Sequence, residues 1–234
     1  MLLYQNLDDY VRGEIERLQS LPKMNIPEQG IISRVLGPGQ DQDRKSNPEG
    51  YSVTLPVNFL EIDSLGIYGD RHRRPNRPST VREREVVPKG TIIREHRHIF
   101  AVSLYDCKVL SDKLEVDVTP ELLGANLVIE REDGQDYSLS ALPQGVYIRV
   151  YSHEIEERNL LAVLEKRVTQ QGCSVTGNAI RKQYEKTADL TQRFVKISTE
   201  NRGIVCSVES PVDHSTRIEA GQKVSFSFPK GKTL

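Results

Sequence analysis

The 234-residue chain carries 32 Lys and Arg against 33 Asp and Glu, a formal net charge of −1 at pH 7, with 37% hydrophobic residues. That balance excludes a nucleic-acid coat protein or a charge-held membrane-surface protein. No apolar run reaches the roughly 18 residues of a spanning helix, so no membrane partner is expected.

The first element in chain order is an amphipathic helix over about Leu7 to Leu21. Asn6 can cap it, Asp8 and Asp9 fall in its first turn, and Leu7, Tyr10, Val11, Ile15 and Leu18 share one face. Pro22 and Pro27 end it. Its acidic residues stand where a signal peptide would be basic and apolar, which argues against secretion. Three cysteines, too few and odd in number for a disulfide framework, fit a reducing compartment. The expected location is therefore cytoplasmic.

The polar stretch from Gln40 to Gly50 reads as a loop. Strand patterns follow at Tyr51 to Ile62, Ile99 to Leu104, Leu127 to Ile129, Val146 to Tyr151 and Leu161 to Leu164. Two more lie at Ile204 to Val208 and Val224 to Phe228. Helical patterns are fewer: about Tyr105 to Leu114, Ser174 to Thr187, and Ala188 to Ile197. The expected fold is mainly β with peripheral helices, a mixed and mostly antiparallel β barrel. Residues 1–28 are expected to form a helical extension and residues 29–234 the barrel domain.

Two features carry chemistry. Cys173 lies between a strand pattern and the helix pattern that starts at Ser174. A thiol at a helix N-terminus favours the thiolate, which is a nucleophile, a sulfur carrier or a soft-metal ligand. Cys107 lies on the apolar face of a helix and Cys206 alternates with apolar residues in a strand, so both read as core. The second feature is the basic, proline-broken segment Arg71 to Arg97, with nine Arg and Lys against Glu83, Glu85 and Glu95. A dianionic phosphate needs several donors, and arginine offers a planar fork that matches its oxygens.

Four pieces in order, GIYGDRH at 66–72, TPELLGANLVI at 119–129, GCSVTGNAI at 172–180 and RGIVCSVESP at 202–211 leading into IEAGQKVSF at 218–226, resemble the MOSC family. That family is named after the C-terminal domain of molybdenum-cofactor sulfurase. The resemblance spans about Gln29 to Phe228 and implies a MOSC-like mixed β barrel. Gly69, Asp70, Arg71 and His72 match its first turn, and Arg97 the arginine that opens the central strand. Gly124, Asn126 and Leu127 match the second turn, Cys173 the family's cysteine, and Gly203 and Gly221 the terminal hairpin. The resemblance implies a molybdenum cofactor (molybdopterin), with Cys173 as catalytic thiolate and metal ligand. It implies Asp70, Arg71, His72, Arg97 and Asn126 as cofactor-binding residues. The departures are Ala125 where glutamate is usual, Gly172 where proline often stands, and His98 where glutamine is common.

The leading expectation is a pterin-cofactor protein, either a sulfur carrier or a reductase of N-hydroxylated compounds. Reduction implies an electron-transfer partner protein, because the chain shows no flavin, haem or iron–sulfur motif. Arg71, Arg97 and Cys173 are then expected within about 10 Å of one another, a cofactor's length. One alternative is a non-catalytic binding module that keeps the barrel without the cofactor. Another is a nucleotide- or RNA-binding protein using residues 71–97, against which neutral charge and few aromatics count. His96 and His98 could also share a strand face and, with His72, hold a metal.

Overall fold

The computed structural model describes residues 29–39, 53–80, 86–169, 172, 174–186, 189–198, 200–210 and 215–227. The expected N-terminal helix, the polar stretch at 40–50 and Cys173 lie outside the described residues.

Thirteen described strands make one closed barrel and two small satellites. The barrel strands are β1 (Gln29–Pro38), β7 (Ile99–Val102), β8 (Leu127–Glu130), β9 (Tyr147–Tyr151), β10 (Leu160–Thr169), β11 (Ile204–Ser210) and β13 (Lys223–Ser227). They run in the order β13-β9-β10-β11-β7-β8-β1, and a β13–β1 pairing closes the ring. Closure pairs both edges of the sheet, so no barrel edge is left as a template for another chain. β2 (Thr54–Pro56) adds to β1. A second sheet joins β12 (Thr216–Glu219), β3 (Phe59–Asp63) and β4 (Gly66–Ile67), and β5 (Asn76–Pro78) pairs with β6 (Ile92–Arg94).

Alternation divides the core in two. On β7, Ile99 and Ala101 join Ile32, Leu127, Ile148, Leu164, Cys206 and Val224 inside the barrel. Phe100 and Val102 face the other way, into a second cluster with Leu110, Leu114, Val128, Ile180, Phe194 and Val205. Four helices cover that outer cluster: α1 (Leu104–Leu114), α2 (Pro120–Leu123), α3 (Ser174–Gln183) and α4 (Asp189–Ile197). β7 and β8 are the parallel pair, and α1 and α2 form the crossover that a parallel pair requires.

The structure redraws several sequence boundaries. The strand expected through Leu104 stops at Val102, because Ser103 caps α1 in a reciprocal box with Asp106. The strand expected over 51–62 is broken between Pro56 and Phe59 into β2 and β3. β10 runs on to Thr169, well past Leu164, and carries Glu165, Lys166 and Arg167 inside a ladder. Gly203, just before β11, has φ +82, and a Cβ there would stand 2.3 Å from the Ala101 carbonyl oxygen. Only glycine allows that backbone approach.

Candidate functional site

The turn before β5 is built from backbone constraints. Gly69 has φ +80, a conformation that side-chain-bearing residues rarely adopt. The Asp70 N–H donates to the Ile67 carbonyl at 3.0 Å, and the Arg73 N–H donates to the Asp70 carbonyl at 3.0 Å. The Asp70 carboxylate accepts the His72 N–H at 2.7 Å, so Asp70 fixes the turn itself. Arg71 donates from Nε to His72 Nε2 at 3.1 Å. The His72 proton therefore sits on Nδ1, which faces Glu95 Oε2 at 3.4 Å.

Glu95 is the hub. Its side chain is fully buried, and the β5–β6 pairing sets Arg77 beside it. Oε1 accepts Arg97 Nε at 3.0 Å, Arg77 Nε at 3.3 Å, and the backbone N–H groups of His96 and Arg97 at 3.1 Å each. Oε2 accepts Arg97 Nη2 at 3.2 Å and both Nε and Nη2 of Arg74 at 3.3 Å. Burial pushes the Glu95 carboxyl up, but the His72 and Arg97 hydrogen bonds and the charge of Arg97 hold it well below the ordinary carboxylate range. Burial pulls His72 down more than Glu95 raises it, so the imidazole is neutral at pH 7.

Three guanidiniums converge on one carboxylate. Arg77 is 7% exposed and acts as internal charge, whereas Arg97 at 26% and Arg74 at 43% reach solvent. Such a cage suits an anion with several acceptor oxygens. The family resemblance points to Arg71 and Arg97 alone; Arg74 and Arg77 belong to this cluster as well. Arg73 is engaged elsewhere, with Asp63 at 2.5 Å and over the Tyr68 ring at 4.0 Å.

A polar strip adjoins the cage on the outer faces of β10 and β11. Arg167 donates to Ser207 Oγ at 2.7 Å and Glu209 Oε1 at 2.8 Å, and pairs with Glu165 at 2.9 Å. His96 and His98 feel this strip: burial first, then Arg167 and Arg94, lower His96, and burial lowers His98. The three-histidine metal arrangement is not formed. His72 is tied to Glu95 and His98 Nδ1 to the Val208 N–H, and no cluster of three metal-ligating side chains occurs among the described residues.

The structure brings together Asp70, Arg71, His72 and Arg97. Asn126 serves the barrel: its Oδ1 accepts the Phe100 N–H at 2.9 Å and its carbonyl accepts the Leu36 N–H at 2.8 Å. Cys173 lies outside the described residues. Its neighbour Gly172 packs so closely that a Cβ would stand 2.2 Å from Ser198 Oγ. The other thiols are core groups as expected: Cys206 is fully buried with burial pushing its pKa up to about 12, and burial also raises Cys107.

A family model for the MOSC domain matches residues 88–225. The chain belongs to the MOSC family. The protein YuaD of Bacillus subtilis (strain 168), whose name connects it with metal-sulfur cluster biosynthesis, is 29% identical over 160 residues, 68% of this chain and 77% of its own. The crystal structure of YuaD matches at TM-score 0.67 and 24% identity, over 86% of this chain and 97% of that one. YiiM from Geobacillus stearothermophilus matches at TM-score 0.50 and 12% identity, over 85% and 75% of the two chains. At these identities the two structures establish a shared fold. The MOSC barrel accounts for the order of the four sequence pieces. It sets the Gly69–His72 turn against the residues that lead into β7, and the α1–α2 crossover ahead of Asn126. No helix among the described residues is long and apolar enough to cross a membrane.

Proposed function

We propose that this MOSC protein binds a phosphorylated molybdenum–pterin cofactor and acts as a sulfur carrier or as a reductase of N-hydroxylated compounds through the Cys173 thiolate. The observation that carries the reading is the convergence of guanidiniums on Glu95, two of them partly exposed. A phosphate monoester is dianionic near neutral pH, and Arg97 and Arg74 are partly exposed guanidiniums whose Nε and Nη2 are held on Glu95, with Nη1 of each left to meet a ligand oxygen. Arg71, anchored on His72, adds a further guanidinium at the same turn. The cofactor, when bound, supplies a soft metal centre to which a thiolate is a suitable ligand. Cys173 immediately precedes, in sequence, the first residue of α3, where a helix N-terminus favours the thiolate. The name of YuaD, which points to metal-sulfur cluster biosynthesis, supports sulfur chemistry at such a residue. The reductase branch calls for an electron-transfer partner protein. Arg74, Arg77 and Arg97 converge on one carboxylate, an arrangement that suits a single phosphate group rather than an extended RNA backbone.

One observation favours a second reading, a non-catalytic barrel without the cofactor. Ala125, where glutamate is usual in the family, is fully buried in the outer core and offers no ligand group. Protein purified from a host that makes the cofactor separates the two. Molybdenum and oxidised-pterin fluorescence near one per chain select the cofactor reading, and Cys173→Ser then abolishes activity while leaving the melting temperature unchanged. Protein free of both metal and pterin selects the binding module.

A further inference from the structure

Several buried side-chain polar atoms have no hydrogen-bond partner among the described residues, Arg73 Nε, His96 Nδ1 and His98 Nε2 among them, and for His98 a neighbouring bond also fixes the tautomer. The Val208 N–H donates to His98 Nδ1 at 3.1 Å. A ring nitrogen that accepts carries no proton, so the proton of the neutral imidazole sits on Nε2. His98 is 3% exposed, and its Nε2 has no hydrogen-bond partner among the described residues. An unmade hydrogen bond at a buried donor is costly, and it calls for an acceptor. The same Val208 bond excludes Nε2 as a metal ligand. Metal binding there would move the proton to Nδ1 and set it against the Val208 N–H.

We propose that His98 donates its Nε2–H to a phosphate oxygen of the ligand held by the Glu95 cage, which makes it a further binding residue of this site. The inference rests on the anion-binding reading above. Position supports it. His98 follows Arg97 directly, and it lies within electrostatic reach of Glu95, Arg94, His96 and Glu209. It packs against Gly66, where a Cβ would stand 3.4 Å from His98 Cβ and 3.5 Å from Arg73 Cα, at the entry to the Gly69–His72 turn. A neutral imidazole adds a directional donor to the cage without adding to its charge. The glutamine common at this position in the family offers the same pair of functions, an oxygen to accept from Val208 and an N–H to donate outward.

Nitrogen-15 NMR of wild-type protein labelled at histidine and arginine, titrated with inorganic phosphate, tests this. The expected spectrum shows Nδ1 bare and Nε2 protonated, with the Nε2–H moving downfield and saturating in step with Arg97 Nε–H. His98→Gln should keep phosphate affinity within about threefold, and His98→Phe should weaken it about tenfold. A proton on Nδ1 overturns the proposal. So does an Nε2–H that stays still while Arg97 Nε–H saturates, the sign of a bound water in place of ligand; that result leaves the arginine cage intact. If neither signal responds to phosphate, the cage reading and the His98 proposal fall together. The wild-type spectra decide the matter even if the Phe variant fails to fold.

Discussion

Two buried carboxylates in this molecule, Glu95 and Asp106, are both fully inaccessible to solvent, yet they do opposite things. Glu95 is surrounded by guanidiniums and stays ionised far below its ordinary range, although burial opposes this. Asp106 is surrounded by neutral donors. It accepts Ser103 Oγ at 2.9 Å, Ser138 Oγ at 2.5 Å and the Leu139 N–H at 3.1 Å, and burial leaves its pKa raised. Neutral donors satisfy a carboxylate and close a joint, here between the start of α1 and the 138–142 segment. Cations hold it ionised, and those that reach solvent can also face a ligand. The difference between a structural carboxylate and a site-forming one lies in the partners, since burial is the same.

The largest expected effect follows from removing the Glu95 charge. Glu95→Gln leaves Arg74, Arg77 and Arg97 facing one another, and breaking such a buried pair costs about 3–5 kcal/mol, read as a lower urea midpoint. Asp106→Ala removes the capping box and strands the Ser138 hydroxyl, with an expected loss of about 2 kcal/mol by the same measurement. An equal loss at both positions would erase the contrast.

Acid should separate the two carboxylates by sign. Glu95 titrates lower in the fold than its ordinary 4.5, so its contribution is complete above that pH and is lost as pH falls. Asp106 titrates above its ordinary 3.8, so its contribution is complete below that value and is lost as pH rises through the folded pKa. His72, His96 and His98 titrate below 6.5, so charging them costs stability from about that pH downward. The urea midpoint should therefore fall from pH 7 to pH 4. Glu95→Gln should flatten the fall below pH 4.5, and Asp106→Asn should steepen it. A midpoint that rises on acidification contradicts the assignment. The smallest effect belongs to the exposed pair Arg149–Glu157, at 2.9 Å with side chains 36% and 77% exposed. Arg149→Ala should cost under about 0.5 kcal/mol.

The same contrast marks what a reader of the sequence could see. The barrel was legible where alternation was clean, as in Val224 and Phe226 on β13 or Ile204, Cys206 and Val208 on β11. β1 was not read as a strand: a register shift between Ile32 and Arg34 breaks the alternation of QGIISRVLGP. β10 was read as ending at Leu164, where the apolar residues give way to Glu165, Lys166 and Arg167. In the fold the Lys166 Nζ is buried and donates to the carbonyls of Ser140 and Leu142. Half of the site was legible too, since the order of the family pieces points to Arg71, His72 and Arg97. Glu95 was not, because a glutamate among arginines reads as charge balance. Only the pairing of Asn76–Pro78 with Ile92–Arg94 shows that three distant side chains, those of His72, Arg74 and Arg77, converge on it. Asn126 illustrates the reverse: a turn-forming amide in the sequence spends its oxygen on the Phe100 backbone.

The central claim is that the Glu95 cage is the anchor for the cofactor's phosphate. The most direct measurement is oxidised-pterin fluorescence per chain in wild-type, Arg97→Ala and Arg149→Ala proteins purified side by side from a host that makes the cofactor. The account predicts a pterin signal in wild-type and Arg149→Ala protein, and at least a tenfold loss in Arg97→Ala with a near-unchanged melting temperature. Pterin retained in full by Arg97→Ala, or absent from the wild-type protein, would contradict it.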